Sequence, residues 1–209
     1  PKAEITSKKN QEICTSENTQ PFEVSATFAN GTGKWEVKEV KDEKGKILSN
    51  SVVTIADETK AKTTITLPKG TIATVTWTVT SPGNKCKDIA ETTLTAYEKP
   101  VVIFDNNSGI QAKCATSSFT VSVKEHPGSG SWEIVGEANG ASYSPTTGYT
   151  TNVTGLKSGK SVTLRYTAKN GECTVVTKDA TLTNQICDNL SIQDISSSPS
   201  EICKNGVVT

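Results

Sequence analysis

The stretches Gly31-Thr-Gly-Lys-Trp35-Glu-Val37 and Gly128-Ser-Gly-Ser-Trp132-Glu-Ile134 are one pattern met twice, GxGxWE closed by a β-branched aliphatic residue. Working outward, each is preceded by an alternating segment, Phe22-Glu-Val24-Ser-Ala26-Thr-Phe28 or Phe119-Thr-Val121-Ser-Val123. Before each segment sits a cysteine, Cys14 or Cys114. Downstream, Leu67-Pro-Lys-Gly70 matches Leu156-Lys-Ser-Gly159, and Val75-Thr-Trp77-Thr-Val79 matches Leu164-Arg-Tyr166-Thr-Ala168. A Gly/Asn turn, a second cysteine (Cys86 or Cys173) and a closing Thr-Leu-Thr complete each copy. An ordered set of matches at one spacing is the signature of an internal repeat.

The alternation has a period of two and is punctuated by Gly, Pro, Asn and Ser, which describes short strands with one buried face. In the first copy strands are expected near 3–7, 22–29, 34–41, 51–56, 63–67, 72–80 and 87–97. The fold class is therefore all-β, tandem immunoglobulin-like β-sandwiches of about seven strands each. The expected units are 1–99, 100–187 and the start of a third at 188–209, since Ile192 precedes Cys203 by the interval that separates Ile103 from Cys114. The third ends inside its second strand, so the segment is expected to belong to a longer array or to take a complementing strand from a partner. Trp35, Trp77, Trp132 and Tyr166 fall on apolar positions of the two central strands and are expected to form the core. The Gly-x-Gly before Trp35 and before Trp132 is expected to make the turn from the preceding alternating strand into the tryptophan strand, where glycine takes positive φ at no steric cost. A phosphate cradle would need a helix after it, and a strand follows.

Composition agrees. The chain has no Met and only 33% hydrophobic residues, enough for thin sandwiches with one face in water. Its 22 basic and 22 acidic residues cancel without long blocks of one sign, which argues against nucleic acid as a partner. No apolar run approaches the roughly 18–20 residues that cross a bilayer, so direct membrane insertion is not expected. Six cysteines with a single histidine and no CxxC read as disulfides in an oxidising compartment. Equivalent positions in the copies suggest Cys14 with Cys86 and Cys114 with Cys173, each closing a loop that stabilises by roughly 4 kcal/mol. Cys187 has no counterpart in the first copy and is expected to pair with Cys203 in this segment. The alternatives are that Cys203 pairs with a cysteine beyond Thr209 or is free.

Catalytic chemistry is not legible. His126 stands alone in a His-Pro-Gly turn and reads as a surface residue without triad partners. No zinc ligand set is available, and the acidic groups Asp42-Glu43, Asp57-Glu58 and Asp105 lack the short spacing of a calcium loop. They read as solvated loops, and no cofactor is expected. Carbohydrate binding needs exposed aromatic faces, and Tyr143 and Tyr149, within a Ser/Thr/Gly-rich loop, mark the possible ligand surface. Asn-x-Ser/Thr sequons begin at Asn30, Asn106, Asn152 and Asn189.

The combination of Cys, alternating strand, GxGxW, Leu-x-x-Gly, aromatic strand and Asn-Gly-x-Cys resembles the Ig-like and PKD-like repeats of large Bacteroidota cell-surface adhesins. These include gliding-motility adhesins exported by type IX secretion. The resemblance implies a non-enzymatic stalk segment at the cell surface, outer-membrane-attached, that extends a distal adhesive region. Its partners would be neighbouring repeats of the same chain, with surface glycans or other cell-surface proteins at the far end. The alternatives are a carbohydrate- or protein-binding module, or accessory domains of a secreted hydrolase.

Overall fold

A computed structural model describes residues 1–187. The first copy contains β1 (Lys2–Ile5), β2 (Gln11–Thr15), β3 (Thr19–Ala29), β4 (Thr32–Asp42), β5 (Ile47–Leu48), β6 (Thr54–Ile55), β7 (Lys62–Pro68), β8 (Thr71–Thr80) and β9 (Lys87–Glu98). The second contains β10 (Ile110–Cys114), β11 (Phe119–Ser122), β12 (Ser129–Val135), β13 (Ser142–Ser144), β14 (Thr150–Thr154), β15 (Lys160–Lys169) and β16 (Val176–Gln185). In the first copy one sheet has the order β1-β3-β7-β6 and the other β2-β9-β8-β4-β5. The second copy repeats this as β11-β14-β13 and β10-β16-β15-β12. Two sheets wound in this order are an immunoglobulin-like sandwich, and the chain carries two in tandem.

The core follows from the alternation. Along β8 every second side chain is buried, Thr71, Ala73, Val75, Trp77 and Val79, and β15 does the same with Val162, Leu164, Tyr166 and Ala168. Trp35 and Trp77 are cross-strand neighbours with ring centroids 5.1 Å apart; Trp132 and Tyr166 stand in the same relation at 4.5 Å. Each strand-C indole N–H crosses to a carbonyl, Trp35 Nε1 to Lys60 O (3.1 Å) and Trp132 Nε1 to Gly148 O (3.0 Å). A large ring is thereby buried with its one polar atom satisfied.

The reason for the second glycine of GxGxW differs from the expected one. Of the four glycines only Gly128 has positive φ (82°), and Gly33 and Gly130 lie inside β4 and β12. What they provide is room. A Cβ on Gly33 would meet the Trp77 ring, and one on Gly130 would meet the Tyr166 hydroxyl and ring. Trp77 of β8 lies across the backbone of β4, and Tyr166 of β15 across that of β12, and only hydrogen fits beneath each ring.

Two further expectations need correction. The span 51–56 is not one strand: a 3₁₀ turn at Asn50–Val52 runs into it and only Thr54–Ile55 is strand, because polar Asn50 and Ser51 offer no face to bury. Cys14 does not lead directly into β3. It lies on β2, a separate strand that runs parallel to β9 and pairs Cys14 with Tyr97. Cys114 on β10 likewise runs parallel to β16, opposite Gln185.

That register overturns the expected disulfides. Cys86 lies just before β9, and Cys14 is level with the far end of the same strand, Tyr97. Ten residues of strand separate them by roughly 33 Å, whereas a disulfide needs Cα atoms within about 7 Å. The same argument separates Cys114 from Cys173. Cys14 is instead bonded to Cys173 (Cα–Cα 4.9 Å) and Cys114 to Cys187 (5.3 Å). Cys187 is thus not joined to Cys203, which with Asn189 and the start of the third copy lies outside the described residues. Among the described residues Cys86 is unpaired and exposed.

Candidate functional site: the stapled junction between repeats

The Cys14–Cys173 bond joins one sandwich to the other. It links the lower pole of the first repeat to the upper pole of the second. The lower pole is built from the β4–β5 turn (Asp42 to Lys46), the β7–β8 turn (Lys69, Gly70) and the end of β9. The upper pole carries the β11–β12 turn (Glu125 to Gly128) and the β15–β16 turn (Asn170 to Cys173).

Around the staple the contacts are polar and specific. Asn170, only 6% exposed, sends its Nδ2 hydrogens to Glu43 Oε1 and to the Glu98 carbonyl, both at 2.8 Å. Glu43 Oε1 also accepts the backbone N–H of Glu98 at 3.1 Å, so one carboxylate ties the pole together and receives the neighbour. Each such bond to a charged acceptor contributes about 1.5–3 kcal/mol. Gly171 (φ 46°) sits against the ring of Tyr97, where any Cβ would enter the ring. Burial, and then the carboxylates of Glu12, Glu172 and Glu43, push the Tyr97 phenol above its ordinary pKa. At the rim Lys44 Nζ meets Glu125 Oε1 at 2.7 Å. The hydrogen bond from Lys44 holds the Glu125 carboxyl below the usual range. Both side chains are exposed, so this contact orients more than it stabilises.

His126 lies beneath this junction, and the surface reading of it is corrected: it is 6% exposed. Its Nδ1 is 2.8 Å from the Pro127 carbonyl, which only accepts, so Nδ1 carries the hydrogen. Nε2, 2.9 Å away, then accepts from the Tyr166 hydroxyl. Burial pushes the Tyr166 pKa up to about 12, which keeps that phenol a donor. Tyr149 stacks edge-on to His126 (5.2 Å) and donates its hydroxyl to the His126 carbonyl (2.9 Å). The bare Cα of Gly130 is what admits the Tyr166 hydroxyl, and that spacing is the one sequence signal for a buried histidine.

The two tyrosines considered as a sugar platform are placed differently from that expectation. Both are half-buried against the core of the second repeat. Tyr149 borders the junction, whereas Tyr143 is on β13 opposite Val153. The junction cleft has a volume of about 640 Å³ and is lined by Asp42, Lys44, Glu98, Glu125, His126 and Tyr149, among others. The loop acids are occupied locally. Asp42 Oδ1 accepts the N–H groups of Lys44 (2.9 Å) and Lys46 (2.8 Å), and Asp57 Oδ1 accepts the Thr59 N–H and hydroxyl. Among the described residues no group of three or more His, Cys, Asp or Glu is placed to hold a metal ion.

The fold defines the class: a tandem immunoglobulin-like β-sandwich protein with a disulfide between its sandwiches. Solved structures are similar in fold. One is a Dscam structure determined for isoform specificity, at TM-score 0.50 and 12% identity, with 87% of this chain and 45% of that one covered. The N-terminal four Ig domains of Dscam1 isoform 1.9 align at TM-score 0.50 and 13% identity, over 87% of this chain and 46% of that one. The complex of Dpr11 IG1 with DIP-gamma IG+IG2 aligns at 0.46 and 12%, over 88% and 100%. The likeness to the two Dscam structures is one of fold alone. No protein-family model matches the chain, and no curated protein matches it.

Proposed function

We propose that this chain is a non-enzymatic stalk segment of a cell-surface adhesin, in an oxidising extracellular setting, with units at 1–99, 100–187 and 188–209. The observation that carries the reading is the Cys14–Cys173 bond, because a covalent link between sandwiches removes the hinge that flexible tandem domains keep. Asn170 and Glu43 add a part-buried hydrogen bond at the same place. With the two poles abutting end to end, each repeat adds the length of a ten-residue strand and its loops, on the order of 35–40 Å. The resemblance to Bacteroidota adhesin repeats supplies the finer setting: attachment at the outer membrane, export by type IX secretion, and glycan or protein partners reached by a distal region.

Small-angle X-ray scattering tests the stalk. The oxidised chain is expected to fit one rigid elongated particle, and the Cys14→Ser/Cys173→Ser variant a broader distribution. Equal flexibility in both would remove the basis for the reading. So would reproducible glycan-array binding that disappears in Tyr143→Ala and Tyr149→Ala, since the segment would then bind ligand itself.

A further inference from the structure

Cys86 occupies in the first repeat the place that Cys173 occupies in the second. Both lie in the turn between strands F and G, β8–β9 and β15–β16. In both turns the residue two before the cysteine is left-handed, Asn84 (φ 56°) and Gly171 (φ 46°). Cys173 is bonded to the parallel-strand cysteine of the repeat above it, and Cys86 is exposed and unpaired among the described residues. Among the described residues nothing covers the rest of that upper pole. A cleft of about 450 Å³ opens between Asn30-Gly31-Thr32 and Ser81 to Asn84. Phe28, aligned with Glu125 through the GxGxW motif, is 48% exposed, whereas Glu125 contacts the repeat above it. Pro1 leads into β1, whose Lys2 pairs with Ala29 at this same pole. Because Ile5 pairs with Ala26 as Phe104 does with Val123, Pro1 corresponds to Pro100, which follows Lys99.

We propose that the upper pole of the first repeat is a docking and disulfide-accepting face for the lower pole of another Ig-like repeat. That repeat carries a cysteine on its parallel strand, as Cys14 does, so that Cys86 continues the staple already formed by Cys14 and Cys173. Closing the bond takes one electron and one proton from each thiol. The two electrons reduce a disulfide oxidant to two thiols. The inference stands on the internal repeat and does not require that the array be a stalk.

The test is a chain in which residues 1–99, carrying Cys86→Ser, are placed directly before Pro1 of the full sequence. This recreates the Lys99-Pro100 junction as Lys99-Pro1. After oxidation with oxidised glutathione, peptide mapping is expected to find Cys14 of the added copy bonded to Cys86. Alkylation of Cys86 by iodoacetamide, present in the original chain, is expected to be lost. A matched chain whose added copy also carries Cys14→Ser should regain it. Cys86 remaining alkylatable while the native Cys14–Cys173 bond is intact would overturn the proposal. An added copy that bonds to Cys173, or that stays protease-sensitive with Cys86 reactive, would also overturn it, because the face would then select no partner.

Discussion

Placing a methyl group on Gly130 tests the central packing claim. The new Cβ would overlap the Tyr166 hydroxyl, Cζ and Cε2, and Tyr166 has no free side to retreat to: it is fully buried with Trp132 4.5 Å away. Overpacking of this kind costs about 1–3 kcal/mol, and the upper end is expected here because the displaced hydroxyl also loses His126. Tyr166→Phe alone should cost about 1–2 kcal/mol by leaving the buried Nε2 of His126 without its donor. In the double variant the hydroxyl that the methyl strikes most closely is gone. The cost of the double variant should therefore fall short of the sum of the two single costs by about 1 kcal/mol. Urea unfolding followed by tryptophan fluorescence gives each term from the midpoint at constant slope. Additivity within about 0.5 kcal/mol would refute the reasoning, since it would mean that Tyr166 does not cross the Gly130 backbone.

The Cys14→Ser/Cys173→Ser variant is expected to lose up to about 5 kcal/mol on the chain-entropy argument for a sequence separation of 159. An unchanged urea midpoint would contradict it. Asn170→Ala removes two hydrogen bonds across the junction, so reduction of the staple by dithiothreitol, followed by mass, should be faster than in the parent chain. For pH, the Thr59 hydroxyl and N–H lower the Asp57 pKa to about 2, and Arg165 and Lys44 lower those of Asp179 and Glu125. Depressed carboxyls stabilise fully above their unfolded value near 4, and that contribution is lost as pH falls through the folded value. The melting temperature should hold down to about pH 4 and drop towards pH 2, with a smaller drop in Asp57→Asn. A loss already complete above pH 5 would assign it to other groups.

Much of the fold is legible because period-two burial leaves its trace residue by residue. Val75, Trp77 and Val79 announce a half-buried strand, and a second copy at Leu164, Tyr166 and Ala168 confirms its place. The junction is not legible, because it depends on register. Cys14 and Cys86 look like partners until β2 is seen to run parallel to β9, which sends them to opposite poles. Gln11-Glu-Ile-Cys-Thr15 is too short and too polar to declare itself a strand, so nothing in the sequence reveals that displacement. Burial of His126 is hidden for a related reason. It follows from a missing atom at Gly130, four residues away, and from a phenol forty residues on.

The staple also sets how the chain would respond to tension. Pull on the two ends of the described chain, and force entering at Pro1 reaches Cys14, crosses to Cys173 and leaves through β16. The residues between those two cysteines are outside the load-bearing path, although both hydrophobic cores are made largely from them. With the staple open and Cys114–Cys187 still closed, the hundred residues from Cys14 to Cys114 form a reserve of about 330 Å that unfolding would release. Bonded, it contributes almost no extension, and the segment behaves as a tether whose length is fixed by covalent chemistry.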